Sequence, residues 1–137
     1  MAHARAAALL LLLLPVLALG GCGGEDDEEQ IDETVRDFVN TANDRDADTF
    51  CGEIVTQEFL EKTTGATGDD AQEECRRQLR AIKGLRVKLV RIGKTEIDGD
   101  KATVRAVIRA QGVTAPETLR LEKQDGDWKL SGRSGGD

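Results

Sequence analysis

Residues 85–111 read LRVKLVRIGKTEIDGDKATVRAVIRAQ, and within them the apolar period changes from helical to two. Leu85, Val87 and Leu89 alternate; Val90 and Ile92 then continue on the opposite parity, the mark of a bulge or strong bend in a long strand. Asp98-Gly99 supplies a two-residue hairpin turn. Beyond it Val104, Ala106, Ile108 and Ala110 make the inner face of a second strand, with Arg105, Val107, Arg109 and Gln111 outward. After a loop around Pro116, Leu119 and Leu121 mark a third strand. Asp125-Gly126 makes another tight turn, and Trp128 and Leu130 a fourth strand. An antiparallel four-strand meander is expected.

Upstream the period is helical. Ile31, Val35, Phe38, Val39 and Ala42 fall on one stripe of an amphipathic helix over residues 30–43. Phe50, Ile54, Val55, Phe59 and Leu60 suggest a shorter, broken helical stretch that ends in the loop of Gly65 and Gly68. A third helix is expected from Asp69, with Gln72 as its capping-box partner, to Gly84. Its buried stripe would be Ala71, Cys75, Leu79 and Ile82. Helices followed by strands imply an α+β fold, in which three N-terminal helices pack on one face of a curved four-stranded antiparallel sheet.

The first 21 residues read as a secretory signal peptide: a short basic start to Arg5, an apolar run from Ala6 to Leu19 too short to span a bilayer, then Gly20-Gly21. Leu19-Gly20-Gly21-Cys22 resembles the bacterial lipobox. The resemblance implies cleavage before Cys22 and a diacylglyceryl thioether on its sulfur, so that the chain is exported and anchored through lipid to the outer face of the cell membrane. Residues 22–29 then read as the lipidated cysteine with an acidic, self-repelling linker, Glu25 to Glu29, that holds the domain away from an anionic lipid surface. Residues 30–132 form the single domain and 133–137 a disordered tail.

The 137 residues contain one histidine, His3, and no tyrosine. Without its leader the chain therefore lacks the commonest acid-base side chain, the commonest transition-metal ligand and the phenol. About 116 residues suit one domain, which excludes a multidomain enzyme. Three cysteines less the lipidated one leave Cys51 and Cys75. Outside the cytoplasm an isolated pair is most simply a disulfide; with no Cys-x-x-Cys and no histidine partner, nothing suggests a redox or catalytic thiol.

The element order, the long bent strand and the segment Asp125-Gly126-Asp127-Trp128-Lys129-Leu130 resemble small secreted members of the nuclear transport factor 2-like cone superfamily, over residues 30–132. That resemblance implies a strongly bent sheet wrapped around a helix layer. The superfamily holds isomerases, dehydratases and many non-catalytic domains, so it implies fold and not activity.

Charge is divided along the chain. Residues 23–74 hold 18 acids against Arg36, Arg45 and Lys62, whereas residues 75–137 hold 15 bases against 8 acids. Arg86, Lys88, Arg105, Arg109 and Arg120 should cluster on the outward sheet face, either as a solvated complement to the acidic helices or as a docking face for an anionic envelope polymer or acidic protein. Asp44, Asp46 and Asp48 are spaced like calcium-loop ligands, but Thr49 stands where that loop needs glycine and Val55 where it needs glutamate, so a turn with an aspartate cap is preferred. No catalytic residue, metal or cofactor is expected. Few aromatics and export argue against nucleic acid, and a row of arginines argues for a monomer. The expected function is an envelope-anchored binding or accessory module; a small isomerase- or hydratase-type enzyme and a structural spacer are the alternatives.

Overall fold

The computed structural model describes residues 24–135. The first helix, α1 (Gly24–Asp44), is followed by a single turn α2 (Ala47–Thr49) that passes into a π-helical turn at Phe50–Ile54. Then come α3 (Gln57–Thr64) and α4 (Gly68–Ala81). The strands β1 (Val87–Asp98), β2 (Lys101–Ala110), β3 (Val113–Gln124) and β4 (Asp127–Gly135) form one antiparallel sheet in the order β1-β2-β3-β4. The fold is the expected α+β meander, but the helical half is divided into more pieces than three.

The stripe Ile31, Val35, Phe38, Val39 and Ala42 is buried on α1, which lies against β1 and β4. The helix starts six residues before the expected boundary at 30, and the acidic run expected to be a flexible linker forms its opening turns. Asp27 stands four residues before Ile31 and so extends the same stripe inward. Carboxylates at a helix N-terminus are stabilised by the unpaired amides there, which offsets their mutual repulsion. At the other end of the chain β4 runs to Gly135, so residues 133–135 are strand and not tail.

Between α1 and α3 the backbone turns at Arg45, whose φ is 54°, and Asp46 caps the next turn by accepting from the Thr49 amide at 3.2 Å. Thr56, nearly solvent-free, caps α3 by accepting from the Phe59 amide at 3.2 Å. Its own amide donates to the Leu130 carbonyl at 2.9 Å, and Val55 bridges Leu130 in parallel. This contact fastens the helix layer to β4, the last strand of the sheet. α4 begins one residue earlier than Asp69 and has no side-chain cap at Thr67; Gln72 is engaged instead by Gln57 and Arg76. Ala71, Cys75 and Leu79 are buried as expected, but α4 stops at Ala81 and leaves Ile82 exposed. Cys51 and Cys75 form a disulfide, with Cα atoms 6.1 Å apart, joining the π-turn to α4.

On β1 the register slips between Leu89 and Arg91, so Val90 is the bulged residue that the parity change marks. A second slip falls between Ile92 and Thr95, at Gly93, where a Cβ would sit 2.9 Å from the Arg105 carbonyl oxygen. Two bulges bend the strand twice. The first hairpin loop is Gly99-Asp100, one residue later than expected, because Asp98 and Lys101 are the closing pair. Pro116 lies in β3 opposite Val107, not in a loop; the turn before it is Gln111-Gly112, with φ of 52° and 84°. From the closing pair Ala110–Val113, pairs that exchange hydrogen bonds alternate with pairs that do not, and Pro116 falls at one that asks no N–H of it. Val104, Leu119, Leu121 and Leu130 fill the inner face against Ile31 and Val35.

Candidate functional site

The N-terminal end of α1 is tied to the sheet by one carboxylate. Asp27 is buried and accepts from Lys123 Nζ at 2.7 Å and from Trp128 Nε1 at 3.0 Å, while Lys123 also lies 5.8 Å from the centre of the Trp128 ring. The Lys123 hydrogen bond, then that from Trp128, hold its carboxyl below the ordinary 3.8 despite the opposing effect of burial. The Lys123 amide donates to the Asp100 carbonyl at 2.7 Å, so the Gly99-Asp100 loop sits at this same end.

The opposite end is basic. A cleft of about 670 Å³ lies between the C-terminal end of α1, the segment leading into β1, and the β2–β3 turn. It is lined by Asn43, Arg45, Gly84, Leu85, Arg86, Val87, Lys88, Arg109 and Gly112. Lys88 and Arg109 are register partners, so their side chains leave the sheet side by side. The Gln111 amide donates to the Arg86 carbonyl at 3.3 Å and draws the turn toward that segment. Asn43 grips Val87 with both ends of its amide, donating to the carbonyl at 2.6 Å and accepting from the amide at 2.7 Å. Arg45, with its left-handed backbone, donates to the Ile82 carbonyl at 3.4 Å. Among the described residues no carboxylate lines the cleft, and none of Arg45, Arg86, Lys88 and Arg109 joins an ion pair.

The five expected basic residues are thus divided. Arg86, Lys88 and Arg109 meet in the cleft. Arg105, opposite Thr118, and Arg120, opposite Thr103, lie farther along the outer face. Arg120 is partly structural: its Nε lies 3.0 Å from where a Cβ on Gly132 would be, so the guanidinium stem covers that glycine. Arg105 helps to hold the Glu96 carboxyl below its ordinary range, though Lys94 contributes most. Arg45 joins the cleft cations although in sequence it belongs to a turn between helices and not to the strands. Arg91 lies outside the expected five, although the bulge at Val90 turns it to the outer face opposite Val107. Cys22 lies outside the described residues.

Two of the three aspartates of the calcium-like spacing have other partners. Asp46 caps its turn, and Asp48 receives Arg76 and Arg80, each at 3.1 Å. On the inner sheet face Glu117 is largely buried opposite Ala106; one oxygen accepts from Arg133 at 3.0 Å and the other has no partner among the described residues. α1 is 21 residues long but polar, and no described helix is long and apolar enough to cross a membrane.

No family model matches the sequence, and no curated protein matches it. Solved structures do. A protein of unknown function from Mycobacterium tuberculosis is 21% identical, with a TM-score of 0.57 over 85% of this chain and 77% of its own. A protein from Kribbella flavida is 19% identical, with a TM-score of 0.62 over 81% and 90%. A candidate scytalone dehydratase from Novosphingobium aromaticivorans is 17% identical, with a TM-score of 0.59 over 80% and 83%. Other matches are cystatin-like and nuclear transport factor 2-like proteins of unknown function, such as one from Shewanella oneidensis at 15% identity and a TM-score of 0.54, covering 81% of this chain and 99% of that one. At these identities the likeness is one of backbone: the domain has the cystatin-like cone fold of the nuclear transport factor 2-like proteins.

Proposed function

We propose that the chain is an exported lipoprotein, anchored through Cys22 to the outer face of the cell membrane, whose cone domain is a non-catalytic binding or accessory module for an anionic partner. The observation that carries the binding reading is the meeting of Arg45, Arg86, Lys88 and Arg109 in one open cleft with no carboxylate among the described residues that line it. Like charges held together without counterions raise the local potential and favour an incoming anion. The test is retention on immobilised polyglutamate at low and high salt. Wild type is expected to bind at low salt and elute as salt rises, and Arg86→Glu/Arg109→Glu to elute much earlier; unchanged retention by the variant would dispose of the reading. Anchoring is checked by intact mass and fractionation: an acylated chain in membranes, and soluble, unacylated material for Cys22→Ala.

A catalytic reading has one observation in its favour, the unpartnered Glu117 oxygen on the inner face of a fold that also houses enzymes. Against it, Arg133 neutralises that carboxylate and no histidine or tyrosine can join it. A general base at Glu117 would also need a substrate space beside it, and the basic cleft does not reach it.

A further inference from the structure

The basic cleft has apolar neighbours as well as cations. Its floor includes Leu85 and Val87, both half-buried. At its rim Val113, 67% exposed, follows directly after the lining residue Gly112. A partner that offered only anionic groups would leave this apolar surface wet. A phosphate or uronate polymer has no aliphatic side chains to cover it, whereas a polypeptide carrying both carboxylates and apolar side chains would satisfy charge and rim together. Guanidinium groups also match the planar carboxylate with paired hydrogen bonds. The wall is set before binding, because Asn43 locks the start of β1 to the end of α1 and the Gln111 amide holds the turn to Arg86.

We infer that the cleft docks an acidic segment of a partner protein, one in which Asp or Glu alternates with apolar residues: carboxylates meet Arg45, Arg86, Lys88 and Arg109, and apolar side chains cover Leu85, Val87 and Val113. The inference rests on the reading that this cleft binds an anionic partner, and it specifies that partner's chemistry.

Three probes separate the two: a synthetic peptide alternating Glu with Leu, polyglutamate of equal charge, and inorganic polyphosphate. Their affinities for the folded protein are measured by titration at low salt, with the melting temperature of each variant checked first. The Glu-Leu peptide is expected to bind about tenfold more tightly than polyglutamate, a difference of about 1.4 kcal/mol. Leu85→Ser/Val113→Ser should abolish that advantage and leave polyglutamate affinity unaltered. Arg45→Glu/Arg86→Glu should weaken peptide and polyglutamate alike by at least about tenfold, and Arg105→Gln, compared with wild type at physiological ionic strength where exposed charges are screened beyond about 8 Å, should change neither by more than about twofold. Equal affinity for the two polypeptides, or a preference for polyphosphate that ignores Leu85 and Val113, would overturn the peptide inference while leaving the anionic-partner reading in place. Binding of none of the three probes would remove that reading and the inference with it.

Discussion

Asp27 is a carboxylate inside the fold whose ionisation is linked to stability. Its folded-state pKa lies below the ordinary 3.8, first because Lys123 and then because Trp128 donate to the charged form. A depressed pKa means that the unfolded chain takes up the proton more readily, so the contribution is complete above the ordinary value and is lost as pH falls through the folded one. Asp27→Asn is therefore expected to melt below wild type at neutral pH, with the gap narrowing as acid is added below about pH 4. A melting series from pH 7 to pH 2, followed by Trp128 fluorescence, checks both the gap and its closure; a gap independent of pH would show that Asp27 acts by packing alone. Gly93 makes the opposite kind of demand, for a missing side chain. A methyl group there would meet backbone, the Arg105 carbonyl at 2.9 Å, which cannot swing aside. Gly93→Ala is expected to cost about 1–3 kcal/mol, read as a lower denaturant midpoint with an unchanged slope.

Among the elements, α4 and the π-turn are held by the Cys51–Cys75 disulfide, and they contact the sheet much less than α1 does. Replacing both cysteines by alanine is expected to lower stability by about 2–5 kcal/mol and to leave the sheet signal in far-ultraviolet dichroism intact under native conditions. The strand faces and the α1 stripe were legible because each obeys one period over many residues. The break at Val90 was legible for the same reason, as a change of parity. The second bulge was not, because Gly93-Lys94 carries no apolar pattern and only the close approach of β2 reveals why a glycine stands there. Pro116 reads as a loop because a proline ordinarily interrupts a sheet, and its tolerance here follows from the register set by the Gln111-Gly112 turn, which ends four residues earlier. The helix boundary at 30 was late because five consecutive acids read as a solvated linker, and the basic and indole partners that stabilise Asp27 lie some hundred residues away in sequence.

At the scale of the molecule the two ends carry opposite charge. Asp98, Asp100, Asp125 and Asp127 in the two hairpins gather near the acidic start of α1, whereas Arg45, Arg86, Lys88 and Arg109 gather at its far end. Asp27 to Asn43 spans about 24 Å of helix at 1.5 Å per residue. If Cys22 carries lipid as proposed, the anchor lies only two residues before α1, and the acidic end would be the one nearest the bilayer. Repulsion from anionic headgroups then favours an upright domain with its cleft turned away from the surface. Fluorophores on Asp125→Cys and Gln111→Cys of the acylated protein test this on vesicles carrying acceptor lipids. Strong quenching is expected at position 125 and weak quenching at position 111; equal quenching would mean a domain lying flat.

The sequence by itself determined the alternation of the strands, the apolar stripe of α1 and the α+β order, since each of these follows from local period; the pairing of Cys51 with Cys75 is an expectation that rests on setting Cys22 aside, and the structure shows it. Only the tertiary structure decided that three of the five outer-face cations join Arg45 in a cleft, that Asp27 belongs to the core, and that Pro116 sits within a strand. Those outcomes depend on residues distant in sequence meeting at fixed register, and a long-range contact leaves no periodic trace in either of the segments that make it.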